Sequence, residues 1–593
     1  MLQFTGRFGP QTQPSFTTNL KLNGELAFSL NSLSTQPLTV KTPKLTIYLF
    51  SEFYQYKGKT SPEALQDLVN DINKYGKDTL TKLHGQYALL IIDNKNLSVS
   101  IATDKMGSVP IYYHSDKQGC FYFSTHLSDL LQLLDTKPSI NPQGIHNYIY
   151  HHCIPAPHTI YTHVFKMQCG ELLNASKQSF TTSSYFVPSF SNEAVDAKAM
   201  QEKLLDSLEA SVSDRVGQFD SDKVGAFLSG GLDSSTVSGM FAKTVGPNKA
   251  KTFTMGFHAK GYDESAFAKS TSDHFKTNHA VYYVTPEDVE HSLPDIAAYY
   301  DEPFGNSSAL PAYHCAKFAK EHGVQVMLAG DGGDELFGGN DRYAKQKIFE
   351  LYYKIPGPLR KALLEAPLSK VDKDSTLPLI SKIASYVRQA SVKLPDRLQT
   401  YNFLHQIDPN SVFTSNLLSA TDQLGPLNSL RERYNQPDSA DTLSRMLFLD
   451  WKFTLADNDL VKVSNMCHKA GVDVLYPMLD DRLIELATVI PSNLKLPGNK
   501  LRDFYKETTK PFLPESTINK SKQGFGLPFG VWMRTHKPLQ EMAYDNVLAL
   551  KSTGYFNDAF LEKAIDMHRQ GHASYYGELV WILSMLNMWL AAH

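Results

Sequence analysis

The segment GAFLSGGLDSS, residues 225–235, constrains the fold of this chain more than any other stretch of its sequence. The short apolar run at its start predicts a buried strand, and the two glycines that follow allow a tight turn and close approach of the backbone to a ligand. Ser234 and Ser235 then begin a helical pattern, so that their hydroxyls and the first N–H groups of the helix would face an anion. The segment therefore predicts a phosphate-binding loop, and the alternative is an ordinary turn followed by a helix cap.

An acid inside this loop indicates a metal ion. Asp233 would repel a phosphate directly, so a bridging Mg²⁺ is the natural inference. A second glycine cluster, LAGDGGDELFGG at residues 328–339, also follows an apolar run and places Asp331, Asp334 and Glu335 within five positions. Such crowding is unfavourable unless a cation or a proton-transfer role offsets it, although a structural turn is the alternative. If both turns lie at the ends of neighbouring strands, Asp233 and Asp334 would share one Mg²⁺.

The composition excludes several classes of function. A length of 593 residues predicts more than one domain. The net charge is −3 and residues of both signs are interleaved, so we expect no nucleic-acid-binding face. The N-terminus lacks a signal-peptide pattern and no apolar run approaches about 18 residues, so we expect neither secretion nor a membrane span. Five cysteines without a CxxC pair are typical of reduced thiols in a cytoplasmic protein. Neither glycine cluster has the GxxxxGK[ST] or the GxGxxG spacing.

The hydrophobic pattern divides the chain into two halves and predicts an α/β fold. Residues 1–175 hold short alternating or apolar runs separated by turn residues, which indicate a mostly antiparallel β layer with a few helices. Residues 176–198 are the expected linker, because most of this stretch is poor in charge and rich in Ser, Thr and Phe. From residue 199 to 593, amphipathic segments alternate with short apolar runs. This alternation predicts a doubly wound parallel α/β domain with a helical C-terminal part.

The chemistry-bearing segments together resemble a known family. SGGLDSS is the pyrophosphate-loop motif of the N-type ATP pyrophosphatases, and its pairing with GDGGDELFGG resembles the class B asparagine synthetases. Further segments resemble this family in the same order, namely FTMGF at 253–257, DEP at 301–303, GVDVLYPMLD at 471–480 and KSKQGFGLPFGVW at 520–532. The resemblance implies ATP as co-substrate, Mg²⁺ as cofactor and an ATP and pyrophosphate site made of Phe227, Leu228, Ser229, Gly230, Gly231, Leu232, Asp233, Ser234, Ser235, Met255, Asp263, Ala329 and Gly330.

The same resemblance implies two metal ligands and two catalytic residues. Asp233 and Asp334 match the Mg²⁺ ligands, and Asp331 takes the place of the family acid tied to formation of the acyl-adenylate. Lys522 matches the lysine near the α-phosphate, where a fixed ammonium would stabilise the negative charge that develops during adenylation. Lys520 is the other candidate for this role, and the alternative for either residue is an exposed loop lysine without a catalytic function.

The first half of the chain resembles the family's glutaminase domain, an α+β sandwich of the Ntn-hydrolase type, in its framework but not in its chemistry. LHGQYA at 83–88, DKMGSVPIYY at 104–113 and FYFS at 121–124 resemble structural segments of that domain. The nucleophilic N-terminal cysteine has no counterpart, since position 2 is Leu2 and the first cysteine is Cys120. The oxyanion loop NGEIYN is reduced to FSEFYQ, and the RxRGPD segment is missing. We therefore expect a degenerate domain without glutamine hydrolysis.

These observations predict an ATP-dependent amide ligase that adenylates a carboxylate, releases pyrophosphate and passes the acyl group to ammonia or an amine. An intramolecular cyclase of the β-lactam-synthetase or lasso-cyclase type and a catalytically silent ATP-binding paralogue are the alternatives. Ser464 and Leu475 replace an aspartate and an arginine of the family, so the substrate need not be free aspartate. The expected partners are a small-molecule or peptide carboxylate and a nitrogen donor. A homodimer is an open option, and no nucleic acid or membrane is expected.

Overall fold

Three β-sheets organise the molecule. The computed structural model describes residues 2–10, 16–22, 26–32, 36–177, 179–361, 378–438, 440–521 and 526–593, together with Glu365 and Pro367. Its strands are β1 Phe4–Gly9, β2 Thr18–Leu22, β3 Leu26–Ser32, β4 Leu38–Lys41, β5 Leu45–Tyr56, β6 Leu83–Asp93, β7 Ser98–Thr103, β8 Tyr112–Ser115, β9 Phe121–Ser124, β10 Phe165–Lys166, β11 Glu171–Ala175, β12 Phe180–Ser184, β13 Val224–Phe227, β14 Lys251–Phe257, β15 Asn278–Val284, β16 Val326–Leu328 and β17 Asp473–Leu475.

The first twelve strands build an antiparallel sandwich. One six-stranded sheet has the order β10-β8-β9-β1-β3-β2 and the other has the order β12-β11-β7-β6-β5-β4. Apolar residues of both sheets, including Phe28, Phe123 and Ile101, share one buried cluster, as expected when two sheets pack face to face. The amphipathic helix Pro62–Tyr75 covers the outer face of the second sheet. The strand β12 lies inside the stretch that the sequence predicts as a linker, where it pairs with β11.

The remaining five strands form a fully parallel sheet with the order β15-β14-β13-β16-β17. The direction in which the chain adds strands reverses at β13, so the switch point of the topology lies between β13 and β16. Ligands of open parallel sheets bind at the carboxyl ends of the strands that flank such a point. The two glycine clusters follow these two strands, and the β13–β16 pairing meets the condition stated for a shared Mg²⁺, that both turns lie at the ends of neighbouring strands.

Helices surround the parallel sheet and form the C-terminal part of the chain. The first half of the chain has its own α-helices, Pro62–Tyr75, Leu127–Gln132 and Pro142–His151. In the second half the α-helices of seven or more residues are Ala197–Val216, Leu232–Val245, Ser265–Phe275, Pro286–Tyr299, Ala309–Glu321, Asp341–Glu350, Pro378–Ser391, Gly425–Asn435, Thr442–Asp450, Leu460–Lys469, Asp481–Val489, Asp503–Thr509, Lys537–Ala549, Asp558–Gln570 and Ala573–Ala592.

Shorter helical pieces connect these elements. The short α-helices are Gly333–Phe337, Gly357–Arg360, Phe403–Gln406, Pro409–Val412, Ser415–Ser419, Ser492–Lys495, Glu515–Asn519 and Phe529–Trp532. The 3₁₀ segments are Lys77–Lys82, Ser221–Lys223, Leu351–Lys354, Asp396–Gln399, Pro477–Leu479 and Leu550–Thr553. A π-helical segment, Trp451–Asp459, interrupts an otherwise continuous helix before Leu460–Lys469. In the ranges described above, no helix is both long enough and apolar enough to cross a membrane.

Buried polar contacts join the sandwich to the parallel-sheet half. Lys105, which follows β7, forms an ion pair with Asp481 at the start of the helix Asp481–Val489, and both side chains are almost fully buried. The backbone N–H of Gly85 donates to the other carboxylate oxygen of Asp481 at 3.1 Å. The side chain of Gln86 accepts from the backbone N–H of Tyr476, beyond β17, at 2.9 Å. The two halves therefore share hydrogen-bonded contacts as well as a hydrophobic core.

Candidate active site

The predicted phosphate-binding loop is a compact turn between β13 and the helix Leu232–Val245. Gly230 has a φ of +71°, a left-handed conformation that glycine adopts without strain. Gly231 is the residue that precedes the first turn of the helix. The backbone N–H of Ser229 donates to the hydroxyl oxygen of Ser234 at 3.1 Å, and the two serine hydroxyls lie 3.0 Å apart. The turn thus folds back on the helix N-terminus, where first-turn N–H groups and serine hydroxyls suit an anion.

Asp233 and Asp334, the two predicted metal ligands, converge on one arginine. Nη1 of Arg502 lies 2.8 Å from Oδ2 of Asp233 and 2.8 Å from Oδ1 of Asp334. A second nitrogen of the same guanidinium also contacts Asp233. Arg502 is 5% exposed, so this single cation is shared by two acids in a poorly solvated place. The sequence argument missed Arg502, because the segment around it carries no motif. The excess of acids over cations in the two loops was the one signal that a positively charged side chain was needed there.

The donor set between the two loops fits a divalent cation. Two carboxylates from neighbouring turns approach a common point, and hard oxygen ligands are those that Mg²⁺ prefers. Gly333 and Gly339 make this approach feasible, because a Cβ on Gly333 would collide with the carboxylate of Asp233 and one on Gly339 with that of Asp334. A Mg²⁺ bound there would share the two acids with Arg502 or displace its guanidinium.

Two further acids of the second glycine cluster have raised pKa values. Burial raises the pKa of Asp331 to about 6, and Lys462 opposes this effect while Asp459 and Asp233 add to it. Burial also raises the pKa of Glu335 to about 8, with Asp459 again contributing. Lys462 pairs with Asp459 at 2.6 Å at the junction of the π-helical segment and the following helix. Perturbed acids in a cleft are typical of functional sites, and π-helical segments often occur there.

These groups line one cavity of about 1000 Å³. The predicted residues that line it include both loops and both metal ligands: Phe227, Leu228, Ser229, Gly231, Leu232, Asp233, Ser234, Met255, Gly330, Asp331 and Asp334. The cavity also contains residues that the sequence argument did not single out for this site, among them Arg502, Lys506, Asn458 and Glu578. A cavity of this size at the switch point of a parallel sheet is large enough for a ligand of nucleotide size.

Other predicted residues lie around the cavity rather than on its surface. Gly230 and Ala329 form the turns behind it, and Ala329 is fully buried. The hydroxyl of Ser235 is fully buried and contacts that of Thr271 at 3.1 Å. The carboxylate of Asp263 accepts from the backbone N–H of Ser265 at 3.1 Å, at the start of the helix Ser265–Phe275.

The structure describes one of the two candidate lysines, Lys520. Lys520 lines the cavity, pairs with Glu264 at 3.0 Å and donates to the backbone oxygen of Ser229 at 3.3 Å. Its side chain is 7% exposed, so it is a buried lysine that contacts the phosphate loop rather than an exposed loop lysine. Lys522 lies outside the described residues.

The residues at which this sequence differs from the family's glutaminase and acyl sites lie outside the large cavity. Leu2 and Ser464 line a second, smaller cavity of about 100 Å³ between the two halves of the molecule, and Leu475 is fully buried in the core. The hydroxyl of Ser464 lies 2.7 Å from that of Tyr476. Cys120 is buried and its sulfur accepts from Arg7 at 3.0 Å. Ser464 and Leu475 are therefore not part of the large cavity.

Family comparisons give the class of protein. A family model described as asparagine synthase matches residues 203–591, and one described as a glutamine amidotransferase domain matches residues 25–186. The chain belongs to the asparagine synthase family. It is an ATP-dependent ligase of the asparagine synthase type, with an amidotransferase domain before the synthase domain.

Curated relatives agree with this assignment over most of the chain. The chain is similar to asparagine synthetase [glutamine-hydrolyzing] 1 of Bacillus subtilis (strain 168), at 25% identity over 566 residues, which cover 93% of this chain and 86% of the relative. A putative asparagine synthetase of Mycobacterium tuberculosis (strain ATCC 25618 / H37Rv) is 26% identical over 87% of this chain and 78% of its own length. The putative asparagine synthetase [glutamine-hydrolyzing] 2 of Methanocaldococcus jannaschii is 34% identical over 50% of this chain and 58% of its own length.

Proposed function

We propose that this protein adenylates a carboxylate with Mg·ATP, releases pyrophosphate and transfers the acyl group to ammonia or an amine without hydrolysing glutamine itself. The observation that carries the proposal is the meeting of the two glycine loops in one cavity. There the phosphate loop, the paired acids Asp233 and Asp334, and the buried Asp331 all face the same space. We further propose that residues 1–175 and 199–593 act as two domains joined by residues 176–198.

The residues of the phosphate loop would hold the nucleotide. Serine hydroxyls and first-turn N–H groups of residues 229–235 would bind the pyrophosphate portion, while Phe227, Leu228 and Met255 would contact the base and ribose. Asp233 and Asp334 would hold Mg²⁺. When bound, Mg²⁺ would neutralise charge on the phosphate oxygens.

Asp331 and the lysines would serve the adenylation step. A carboxylate oxygen of the substrate attacks the α-phosphorus of ATP, a new P–O bond forms, and the bond to pyrophosphate breaks. The ammonium of Lys522 or Lys520 would stabilise the charge that accumulates at phosphorus, because a fixed cation in a poorly solvated cavity costs no reorganisation during the reaction. Asp331, near the positive charge of Lys462, would position the carboxylate substrate or the adenylate.

The loss of glutamine hydrolysis rests on what the amidotransferase domain contains. Its segment FSEFYQ, residues 50–55, lacks the asparagine and glycine that donate to an oxyanion in the family. The five cysteines of the chain are all buried, and burial raises the pKa of Cys153 and Cys169, which keeps both thiols in their unreactive form. The nitrogen would then come from solution.

Pyrophosphate release tests the ligase assignment directly. The purified chain is incubated with ATP, Mg²⁺ and a panel of small carboxylates that begins with L-aspartate, and pyrophosphate and AMP are measured. We expect release with at least one carboxylate and a loss of about 10³-fold or more in the double variant Asp233→Ala with Lys522→Ala. The exposed variant Asp422→Asn is the matched control and should retain full activity. Pyrophosphate release that persists in the double variant would contradict the ligase assignment.

Glutamine dependence is tested with the same preparation. We expect amide formation with ammonium chloride but no glutamate production from glutamine, with or without ATP. Glutamate release above the rate of a heat-inactivated sample would show that the amidotransferase domain is active.

A further inference from the structure

One acid in the large cavity has no role in the proposed ATP site. Glu578 lies in the first half of the C-terminal helix Ala573–Ala592 and lines the cavity. Its Oε2 accepts from the hydroxyl of Ser307 at 3.5 Å, and Ser307 lines the same cavity just before the helix Ala309–Glu321. Among the lysines and arginines that the structure describes, none forms an ion pair with this carboxylate. Glu578 is therefore a cavity-facing acid whose protein partner is a neutral hydroxyl.

A run of polar contacts connects Glu578 to the reacting region. Asn306, the neighbour of Ser307, donates from Nδ2 to Oδ1 of Asn458 at 2.6 Å. The next residue along the chain, Asp459, pairs with Lys462, and Lys462 is the main positive influence on Asp331. Asn306, Asn458, Asp459 and Lys462 all line the cavity, so contacts and chain neighbours within its lining link Glu578 to the surroundings of Asp331.

The charge of Glu578 decides which substrate group this end of the cavity accepts. Burial raises its pKa to about 7, and the Ser307 hydroxyl opposes that rise. A substrate carboxylate or a phosphate would be repelled by the ionised acid, and either group would bind more favourably near Lys462 or Lys520. A protonated nitrogen would instead gain an ion pair in a poorly solvated place and would relieve the unfavourable burial of the carboxylate.

We propose that Glu578 binds the nitrogen nucleophile as an ammonium ion or a protonated primary amine and accepts a proton from it. This inference rests on the proposed function and adds the site where the nucleophile is activated. Ammonia in neutral solution is mostly ammonium, which has no lone pair for attack, so an enzyme that takes nitrogen from solution needs a base at this point.

The protons and bonds balance as follows. Ammonium gives one proton to the Glu578 carboxylate and becomes neutral ammonia. The ammonia lone pair forms the new C–N bond at the acyl carbon, the C–O bond to the phosphate of AMP breaks, and AMP leaves. The nitrogen loses its second proton to the leaving phosphate, which gives the amide. The proton on Glu578 returns to solvent before the next turnover.

Three reactions of the same chain separate nitrogen activation from the earlier steps. ATP–pyrophosphate exchange with the carboxylate that supports adenylation needs no nitrogen. Hydroxamate formation with hydroxylamine needs a nucleophile that is already neutral near neutral pH. Amide formation with ammonium chloride, and with methylamine in a parallel series, needs a protonated nitrogen to be activated.

The variant is Glu578→Gln, which keeps the shape of the side chain and removes the base. The exposed variant Glu541→Gln is the matched control.

We expect Glu578→Gln to retain exchange and hydroxamate formation at wild-type rates. Its kcat/KM for ammonium should fall about 10²-fold, and the deficit should shrink as the pH is raised and free ammonia becomes abundant. A similar loss is expected with methylamine, because a protonated primary amine needs the same base before it can attack.

Several results would overturn this assignment. Equal losses in all three reactions would mean that Glu578 supports the acyl site or the fold. Unchanged amide formation at neutral pH would mean that it plays no part in nitrogen transfer. Absence of exchange in the wild-type chain with every carboxylate would overturn the proposed function itself, and with it the role of Glu578.

Discussion

Asp233 and Asp334 accept hydrogen bonds from the same nitrogen atom, Nη1 of Arg502, at 2.8 Å each. The two acids come from turns that follow β13 and β16, which are neighbouring parallel strands. One buried guanidinium therefore fixes the distance between the two loops and compensates charges that would otherwise repel each other. The arrangement prepares a cation-binding point before any nucleotide arrives.

Removal of this guanidinium should destabilise the fold. Arg502→Gln removes the guanidinium that the two largely buried carboxylates share, and loss of one partner of a buried pair costs about 3–5 kcal/mol. We expect a fall of this size in the free energy of unfolding, measured by urea titration without Mg²⁺. Addition of Mg²⁺ should restore part of the loss in the variant, because the guanidinium no longer competes with the metal for these carboxylates, and should change the wild-type value less.

The surface variant Arg569→Gln is the control for Arg502→Gln. Arg569 and Asp566 are both more than half exposed and 3.9 Å apart, and the guanidinium of Arg569 lies 4.8 Å from the ring centre of Tyr544. Because such exposed contacts are weak, this substitution should lower the free energy of unfolding by about 1 kcal/mol or less, well below the loss in Arg502→Gln. Equal stability of Arg502→Gln and the wild type would show that the shared contact contributes nothing.

The glycine at position 333 should be indispensable for catalysis. A Cβ at this position would collide with the carboxylate of Asp233, so Gly333→Ala must move the acid or the loop. Because displacements near 1 Å reduce rates about 10²-fold, we expect a loss of that order in pyrophosphate release. Gly357→Ala is the control, since its Cβ would lie 3.8 Å from the nearest side-chain atom, an ordinary contact. A fully active Gly333→Ala would contradict the proposed metal site.

The sequence predicted the parallel sheet and its two glycine loops because these features depend on local patterns. The apolar runs of β13 and β16 and the glycines after them carry their signals within a dozen residues. Convergence of the loops followed from one general rule about ligands at strand ends. The antiparallel half was predictable in class for the same reason, although β12 lies where the charge-poor composition indicated a linker.

The contacts of Arg502 and Glu578 could not be predicted from the sequence. Each residue lies more than 160 positions from its partners in the site, and neither stands in a motif. Their placement depends on how the C-terminal helices pack over the sheet, which a residue pattern does not specify. A buried arginine also resembles any surface arginine in sequence, so only a count of uncompensated acids would have suggested that a cation was needed.

The ion pair between Lys105 and Asp481 should couple the two halves of the molecule. Lys105→Met would leave the buried Asp481 unpaired, and we expect a loss of about 3–5 kcal/mol in the free energy of unfolding. The double variant Lys105→Met with Asp481→Leu removes both charges and should recover much of that loss. A double variant as unstable as the sum of the single variants would indicate that the pair has no direct coupling.

The acid stability of the protein should depend on Asp480. Burial alone would raise the pKa of this carboxyl, but Arg215 and Arg482 outweigh that effect and lower it below the ordinary value of 3.8. Nη1 of Arg215 donates to Asp480 at 2.7 Å, and the same guanidinium lies 4.2 Å from the ring centre of Phe53 in the sandwich half. The unfolded chain therefore binds a proton at Asp480 at a higher pH than the folded chain does. The resulting stabilisation is complete above the ordinary pKa and is lost as the pH falls toward the folded value.

Asp480→Asn tests this dependence. At neutral pH we expect the variant to be about 3–5 kcal/mol less stable than the wild type, because the fully buried Arg215 loses its counter-ion and Arg482 keeps only its ion pair with Asp214. The difference should shrink as the pH falls below about 4, since the wild-type carboxyl is then protonated in the unfolded chain. Urea unfolding at a series of pH values measures both curves, with Asp566→Asn as an exposed control. A difference that stays constant across the acid range would contradict the lowered pKa of Asp480.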